Sequence, residues 1–324
     1  MTPPFVSPLA TEIQGFLVFK RALGYKYQRG EFTLREFDRF LSHYAGGRRR
    51  WHLRDAVLAW LCRKEGRKPV TVTFELAVIR QFCLYRRRSE PSGFVPGRVW
   101  APQSTEAKFL PYIFTLSQLR RLLRVATQLD QRGPRFPRGL RTLVLVLYCT
   151  GLRLGEVARL RLAEVDLKRG VLFVSQSKGR SRWVPFHPSL TPELRRYLAH
   201  RGRCSDSSEP FFLRQDGRPL SAKWVSDQLR GLFRRVGMKP AAGRVGPRPY
   251  DLRHTFAVHR LKRWYRAGVD IQARLPWLSA YMGHLDILGT QAYLTATPDL
   301  LAGAARRFRR HFHRRGGEHE ANGQ

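Results

Sequence analysis

"RPYDLRHTF", residues 248–256, is the stretch on which the reading of this chain turns. It follows a loop-like run, "AAGRVGP" (241–247), and leads into "AVHRLKRWY" (257–265), whose pattern is helical. Asp251 is expected to cap that helix by accepting from its free backbone N–H groups. Arg253 and His254 then fall in the first turn, where the helix dipole disfavours cations by about 0.3–1 kcal/mol. An Arg–His pair kept there against that cost is either a solvated basic face or a site for an anion. N-terminal N–H groups and cations together suit a phosphate.

The composition favours the anion. The 324 residues carry 60 Lys and Arg against 24 Asp and Glu, a net charge of +36. That excess is too large for an ordinary enzyme of small metabolites. It implies a polyanionic partner, most simply nucleic acid, because each neutralised phosphate releases condensed counterions; a membrane surface is the weaker alternative. The basic residues run along the whole chain, so the folded body is expected to carry them. With 43% hydrophobic and 12% aromatic residues, the chain has enough apolar material for two cores. Cys62, Cys83, Cys149 and Cys204 have no metal-like spacing, and the first three sit in apolar runs, as reduced core thiols would. The N-terminus has no export pattern, and the longest apolar run, "LVLVLYC" at 143–149, is far short of a membrane span. These features point to a cytoplasmic protein, associated with nucleic acid when bound to its partner.

Outward from the opening stretch, helical periodicity dominates. Ile13, Phe16 and Leu17 share one face; Leu34, Phe37, Leu41 and Tyr44 another; Val57, Trp60 and Leu61 a third; Leu76, Ile79 and Phe82 a fourth. Residues 1–95 therefore read as a helical domain with Arg- and Lys-rich outer faces, suited to clamping DNA. Residues 96–112 read as a linker, 113–314 as a second domain and 315–324 as a flexible tail. In the second domain "TLSQLRRLLRVATQL" is an amphipathic helix capped by Thr115 or Ser117, and "LRTLVLVLYCTG" is a buried helix closed by Gly151. "GVLFVSQSKGRSRWVPF" is a hairpin with a basic turn, and "PDLLAGAARRFRRHFHRR" a basic C-terminal helix. The expected fold is mainly α with a small β-sheet: a helical N-terminal DNA-clamp domain and an α+β second domain.

Four stretches carry chemistry-bearing residues: "TGLRLGEVARL" (150–160), "SKGRSRW" (177–183), the opening stretch, and "YMGHLDILGTQAYL" (281–294). Singly, each has an ordinary structural reading. In this order they resemble the tyrosine recombinases, the phage-integrase-like family. Arg153, with Glu156 beside it, matches the family's Thr-Gly-x-Arg-x-x-Glu element, and Lys178 its hairpin lysine. "YDLRH" matches His-x-Leu-Arg-His through Arg253 and His254, with Tyr250 in place of the first histidine. "MGH" supplies His284, and Tyr293 stands nine residues later, at the spacing of the family's nucleophile. The resemblance covers roughly residues 113–310; the N-terminal part is similar only in layout.

What the resemblance implies is site-specific strand exchange on double-stranded DNA, for a mobile genetic element, by a dimer or tetramer assembled on the DNA. Tyr293 attacks phosphorus, forms a 3′-phosphotyrosyl link and releases a 5′-hydroxyl, which splits a difficult exchange into two easier steps. Arg153 and Arg253 clamp the phosphoryl oxygens through charge-assisted bonds. Lys178 protonates the leaving oxygen, helped by arginines that lower its pKa, and His284 donates to a phosphate oxygen. Glu156 and His254 support the local fold, and Tyr250 positions substrate without serving as a base. No cofactor and no metal enter this scheme. Two other readings use the same residues: a catalytically weak DNA-binding partner in a synaptic complex, and a type IB topoisomerase-like enzyme.

Overall fold

The computed structural model describes residues 4–46, 50–102, 110–130, 139–177, 180–201, 209–214, 216–243, 245–284 and 286–295. Lys178, the expected C-terminal helix and the tail lie outside them. The chain divides into two compact units, Met1–Lys108 and Phe109–Gln324.

The first unit is built from α1 (Ala10–Ala22), α2 (Gln28–Ala45), α3 (Leu53–Cys62) and α4 (Pro69–Arg86). Ile13, Phe16, Leu34, Phe37, Leu41, Val57, Ile79 and Phe82 are buried in one core. Each of the four periodic faces read from the sequence therefore points inward. Proline at the first position of α4 suits a helix start, where its missing N–H has no intrahelical partner to lose. The buried carboxylate of Asp38 accepts from the backbone N–H groups of Val6 and Ser7, at 2.9 and 3.0 Å, and so fixes the entry into α1. Phe94, Val95 and Trp100 pack on the same core, and Arg98–Trp100 forms a 3-10 turn. The first residues of the stretch expected to link the domains thus belong to this unit. Cys83 is buried, but Cys62 is exposed at the end of α3, which corrects its reading as a core thiol.

The second unit contains α5 (Leu116–Asp130), α6 (Gly139–Thr150), α7 (Leu154–Arg159), β1 (Val165–Asp166), β2 (Val171–Ser177), β3 (Arg180–Pro185), α8 (Thr191–Arg201), α9 (Ala222–Arg235), α10 (Asp251–Arg266), α11 (Ile271–Met282) and α12 (Leu288–Thr295). The strands form one antiparallel sheet in the order β1-β2-β3, with Phe173 opposite Trp183 and Ser177 opposite Arg180. The expected hairpin is present, and β1 adds a third strand to it. Thr115 caps α5, accepting from the Gln118 N–H at 3.2 Å while the Gln118 side chain accepts from the Thr115 N–H at 2.9 Å.

Helix α10 is central: it packs on α6, α11 and α12. Leu252 enters the main core with Leu147, Val157 and Phe233, while Phe256, Val258 and Leu261 pack with Leu275, Leu278 and Met282. Asp251 does not cap α10 as expected. It is the first helical residue, and its carboxylate reaches back to accept from the Arg248 N–H at 2.7 Å. Among the described residues, no helix is long and apolar enough to cross a membrane.

Candidate active site

The site is organised by the C-terminal end of α11. The last carbonyls of a helix lack intrahelical partners and carry the negative end of its dipole. Here three consecutive ones are each taken by a different guanidinium. Arg182 Nε donates to the Tyr281 carbonyl at 2.8 Å, Arg253 Nη2 to that of Met282 at 2.7 Å, and Arg153 Nη2 to that of Gly283 at 2.6 Å. Gly283 closes the helix at φ 69°, and a Cβ there would lie 2.7 Å from the Arg182 guanidinium. Glycine is needed on both counts.

Arg253 is 1% exposed, the largest fully buried side chain among the described residues. Its Nη1 donates to the Gly151 carbonyl at 2.5 Å, and its buried Nε has no protein partner. Gly151 stands at φ 63°, and a Cβ there would collide with the Phe256 ring. The end of α6 and the start of α10 therefore meet through a glycine carbonyl and an arginine. Burial weakens the hold of Arg253 on its proton, with Arg153 adding to the effect; a guanidinium stays charged regardless.

Arg153 immediately precedes α7. Its backbone N–H donates to Glu156 Oε2 at 2.8 Å and its Nη1 to Oε1 at 2.7 Å. Arg182 grips the same carboxylate from β3, with Nη1 3.0 Å from Oε1 and Nη2 2.9 Å from Oε2. Glu156 is thus a buried anion shared by two arginines. It orients Arg153 and ties β3 to α7. Arg182 was not among the residues singled out from the sequence. The available signal was strand alternation: Arg182 shares the inward side of β3 with Val184, which is fully buried, whereas Trp183 between them is exposed. An arginine on a core-facing strand position calls for a buried acid. Removing one partner of such a group is costly, so Arg182→Ala is expected to destabilise the second unit by about 3 kcal/mol in denaturant unfolding. Combined with Glu156→Ala, it should cost clearly less than the sum of the two, as residues in one ion-pair network do.

Tyr293, on α12, is 4% exposed and packs with Phe256, Leu275 and Met282. Burial pushes its phenol up to about 12, opposed by the Arg253 charge. Its hydroxyl lies 3.1 Å from His254 Nδ1. Burial, then Arg248 and Arg253, push His254 down to about 4. The imidazole is therefore neutral at pH 7. Tyr250 precedes the first turn of α10, is 38% exposed, and sets its ring edge-on to His254 with centroids 4.9 Å apart. His284 follows Gly283; its Nδ1 lies 2.7 Å from Thr290 Oγ1, and its ring stacks on Tyr293 at 6.2 Å. Arg153, Glu156, Tyr250, Arg253, His254, His284 and Tyr293 thus converge at one place, with Lys178 outside the described residues. Among the described residues, no group of three or more His, Cys, Asp or Glu could hold a metal ion.

The second unit thus gathers arginines, two histidines and a buried tyrosine around one helix end, a set of groups with the chemistry to hold a phosphoryl group beside a hydroxyl. The phage integrase family model matches residues 113–299, and the chain belongs to that family, the tyrosine recombinases. The Sinorhizobium fredii protein y4rB, described as an integrase/recombinase, is 33% identical over 94% of this chain and 98% of its own length. The tyrosine recombinase XerA of Thermococcus kodakarensis is 32% identical over 83% of this chain and 86% of its own. Among solved structures, the XerH site-specific recombinase bound to a palindromic difH substrate superposes with a TM-score of 0.65 at 16% identity, covering 85% of this chain and 77% of that one. The Tn1549 transposon integrase in complex with transposon right end DNA gives 0.63 at 18% identity, covering 92% and 99%.

Proposed function

We propose that this protein is a site-specific DNA recombinase or integrase that exchanges strands through a 3′-phosphotyrosyl intermediate on Tyr293, for a mobile genetic element. The observation that carries this reading is the placement of the Tyr293 hydroxyl against His254 and the Arg253 charge. Arg153 and Arg253 bind the non-bridging oxygens of the scissile phosphate, where negative charge builds in the transition state. His284 donates to one of those oxygens. Lys178, two residues before Arg180 in the hairpin, protonates the leaving 5′-oxygen. The names of the similar proteins, recombinases and a transposon integrase in DNA complexes, support DNA as the partner. The basic faces of the first unit supply further phosphate contacts, and the working form is a dimer or tetramer on DNA. The reading puts the protein in the cytoplasm, on the nucleoid.

The test is a plasmid carrying two copies of the recognition site, recovered by selecting bound duplexes from a randomised pool. Incubation in EDTA is expected to give recombinant circles, because arginine, lysine and histidine supply the positive charge. Relaxed topoisomers without recombinants would favour the topoisomerase-like reading, and unchanged plasmid the DNA-binding one. Binding should also weaken with salt, log K falling by about 0.9 per phosphate contact per log unit.

A further inference from the structure

We propose that His254 takes the proton from Tyr293 as the phenol attacks the scissile phosphate. The proposal rests on the reading of Tyr293 as nucleophile. Position 250, where the family's motif has a histidine, is a tyrosine here, and a neutral phenol is a very weak base at pH 7. One helical turn later on α10 stands an imidazole, and residues four apart share a helix face. Its Nδ1 lies 3.1 Å from Tyr293 Oη, with ring centroids 5.4 Å apart.

The protonation states suit the transfer. The Tyr293 hydroxyl is un-ionised near neutral pH and must lose its proton as it attacks. A neutral His254 with its proton on Nε2 presents a lone pair at Nδ1, toward that hydroxyl. The groups facing the imidazole are Arg248 from the preceding loop, Tyr250 and Arg253 from its own helix, and Tyr293 from α12, with His284 stacked beyond Tyr293. Without DNA burial, and after it the two arginine charges, keep the imidazolium costly. A phosphate bound at Arg253 offsets the arginine part of that cost, so the base strengthens when the anion arrives.

In the step itself, the Oη–P bond forms, the P–O5′ bond breaks, and the phenolic proton moves to Nδ1, leaving an imidazolium. The departing 5′-oxygen takes its proton from Lys178. In the second transesterification an incoming 5′-hydroxyl attacks phosphorus and gives its proton to the neutral Lys178 amine, the P–Oη bond breaks, and the imidazolium returns its proton to the leaving phenolate. No outside reactant is needed.

The experiment is single-turnover cleavage of a nicked duplex bearing the selected site, at sub-saturating protein, between pH 4.5 and 8. The proteins compared are the parent, His254→Asn, Tyr250→His/His254→Asn and Tyr293→Phe. Asparagine keeps a polar group facing the phenol but is not basic. His254→Asn is expected to slow cleavage by roughly 10²-fold or more, the scale of general-base assistance, with DNA affinity within about twofold of the parent. The double variant should recover at least about tenfold of that loss, with an acid limb near the ordinary imidazole value of about 6.5. The parent's acid limb should lie lower. His254→Asn cleaving within about threefold of the parent would overturn the proposal. So would a slowed variant that keeps the parent's acid limb, since His254 would then only hold the tyrosine. Covalent adduct persisting in Tyr293→Phe would instead overturn the reading beneath it.

Discussion

Tyr293→Phe is expected to form no covalent protein–DNA species at all, while binding DNA within about twofold of the parent. The substitution removes one oxygen and leaves the ring. That ring sits in an apolar cluster with Phe256, Leu275 and Met282, so phenylalanine fills the same space. What is lost is the hydrogen bond to His254, worth about 1 kcal/mol of stability, and the hydroxyl proposed as the nucleophile. DNA affinity rests on a net charge of +36, which the change leaves untouched. The check is a denaturing gel after incubation with a nicked duplex, beside a binding titration. Adduct in the variant would assign the nucleophile elsewhere.

Arg253→Lys is the second large effect: cleavage should fall by roughly 10²–10³-fold, as when one preorganised oxyanion contact is removed. The guanidinium already gives Nη1 to the Gly151 carbonyl and Nη2 to the Met282 carbonyl, so its fork holds two backbone ends beside the place proposed for the phosphate. A lysine offers a single ammonium, which cannot bind both carbonyls and an oxygen in fixed directions. Alanine is expected to be worse, and to unfold at lower denaturant, because it leaves two buried carbonyls unpaired. Single-turnover rates together with unfolding midpoints separate the two effects. A lysine variant that folds normally and cleaves at the parent's rate would contradict the bidentate role.

Much of this was legible in the sequence for definite reasons. The four helical faces of the first unit follow apolar periodicity, which depends only on which residues are buried. The motif residues Arg153, Arg253, His284 and Tyr293 keep a fixed order, and the fold brings them to one helix end. Helix α11 is hidden in the sequence because Pro276 interrupts its pattern, although the chain there continues as helix. The three-arginine grip on its last carbonyls was invisible for the same reason, since nothing marked Tyr281, Met282 and Gly283 as a helix end. Arg182 stands in the basic turn "SKGRSRW", where a run of arginines reads as solvated until strand alternation is applied. From its motif alone His254 reads as a support of the local fold. Its i, i+4 relation to Tyr250 held the clue that the two share a helix face. The pattern around Asp251 predicts a forward cap, whereas the residue lies inside the first turn and bonds backward to Arg248.

The central claim, that Tyr293 is the nucleophile, is tested most directly by mapping the adduct. The parent protein is incubated with the nicked duplex, digested with nuclease and protease, and its peptides are weighed and fragmented. The account predicts a single nucleotide-bearing peptide, with the modification on Tyr293 through a 3′-phosphate. A nucleotide on any other residue, or cleaved DNA with no modified peptide, would contradict it.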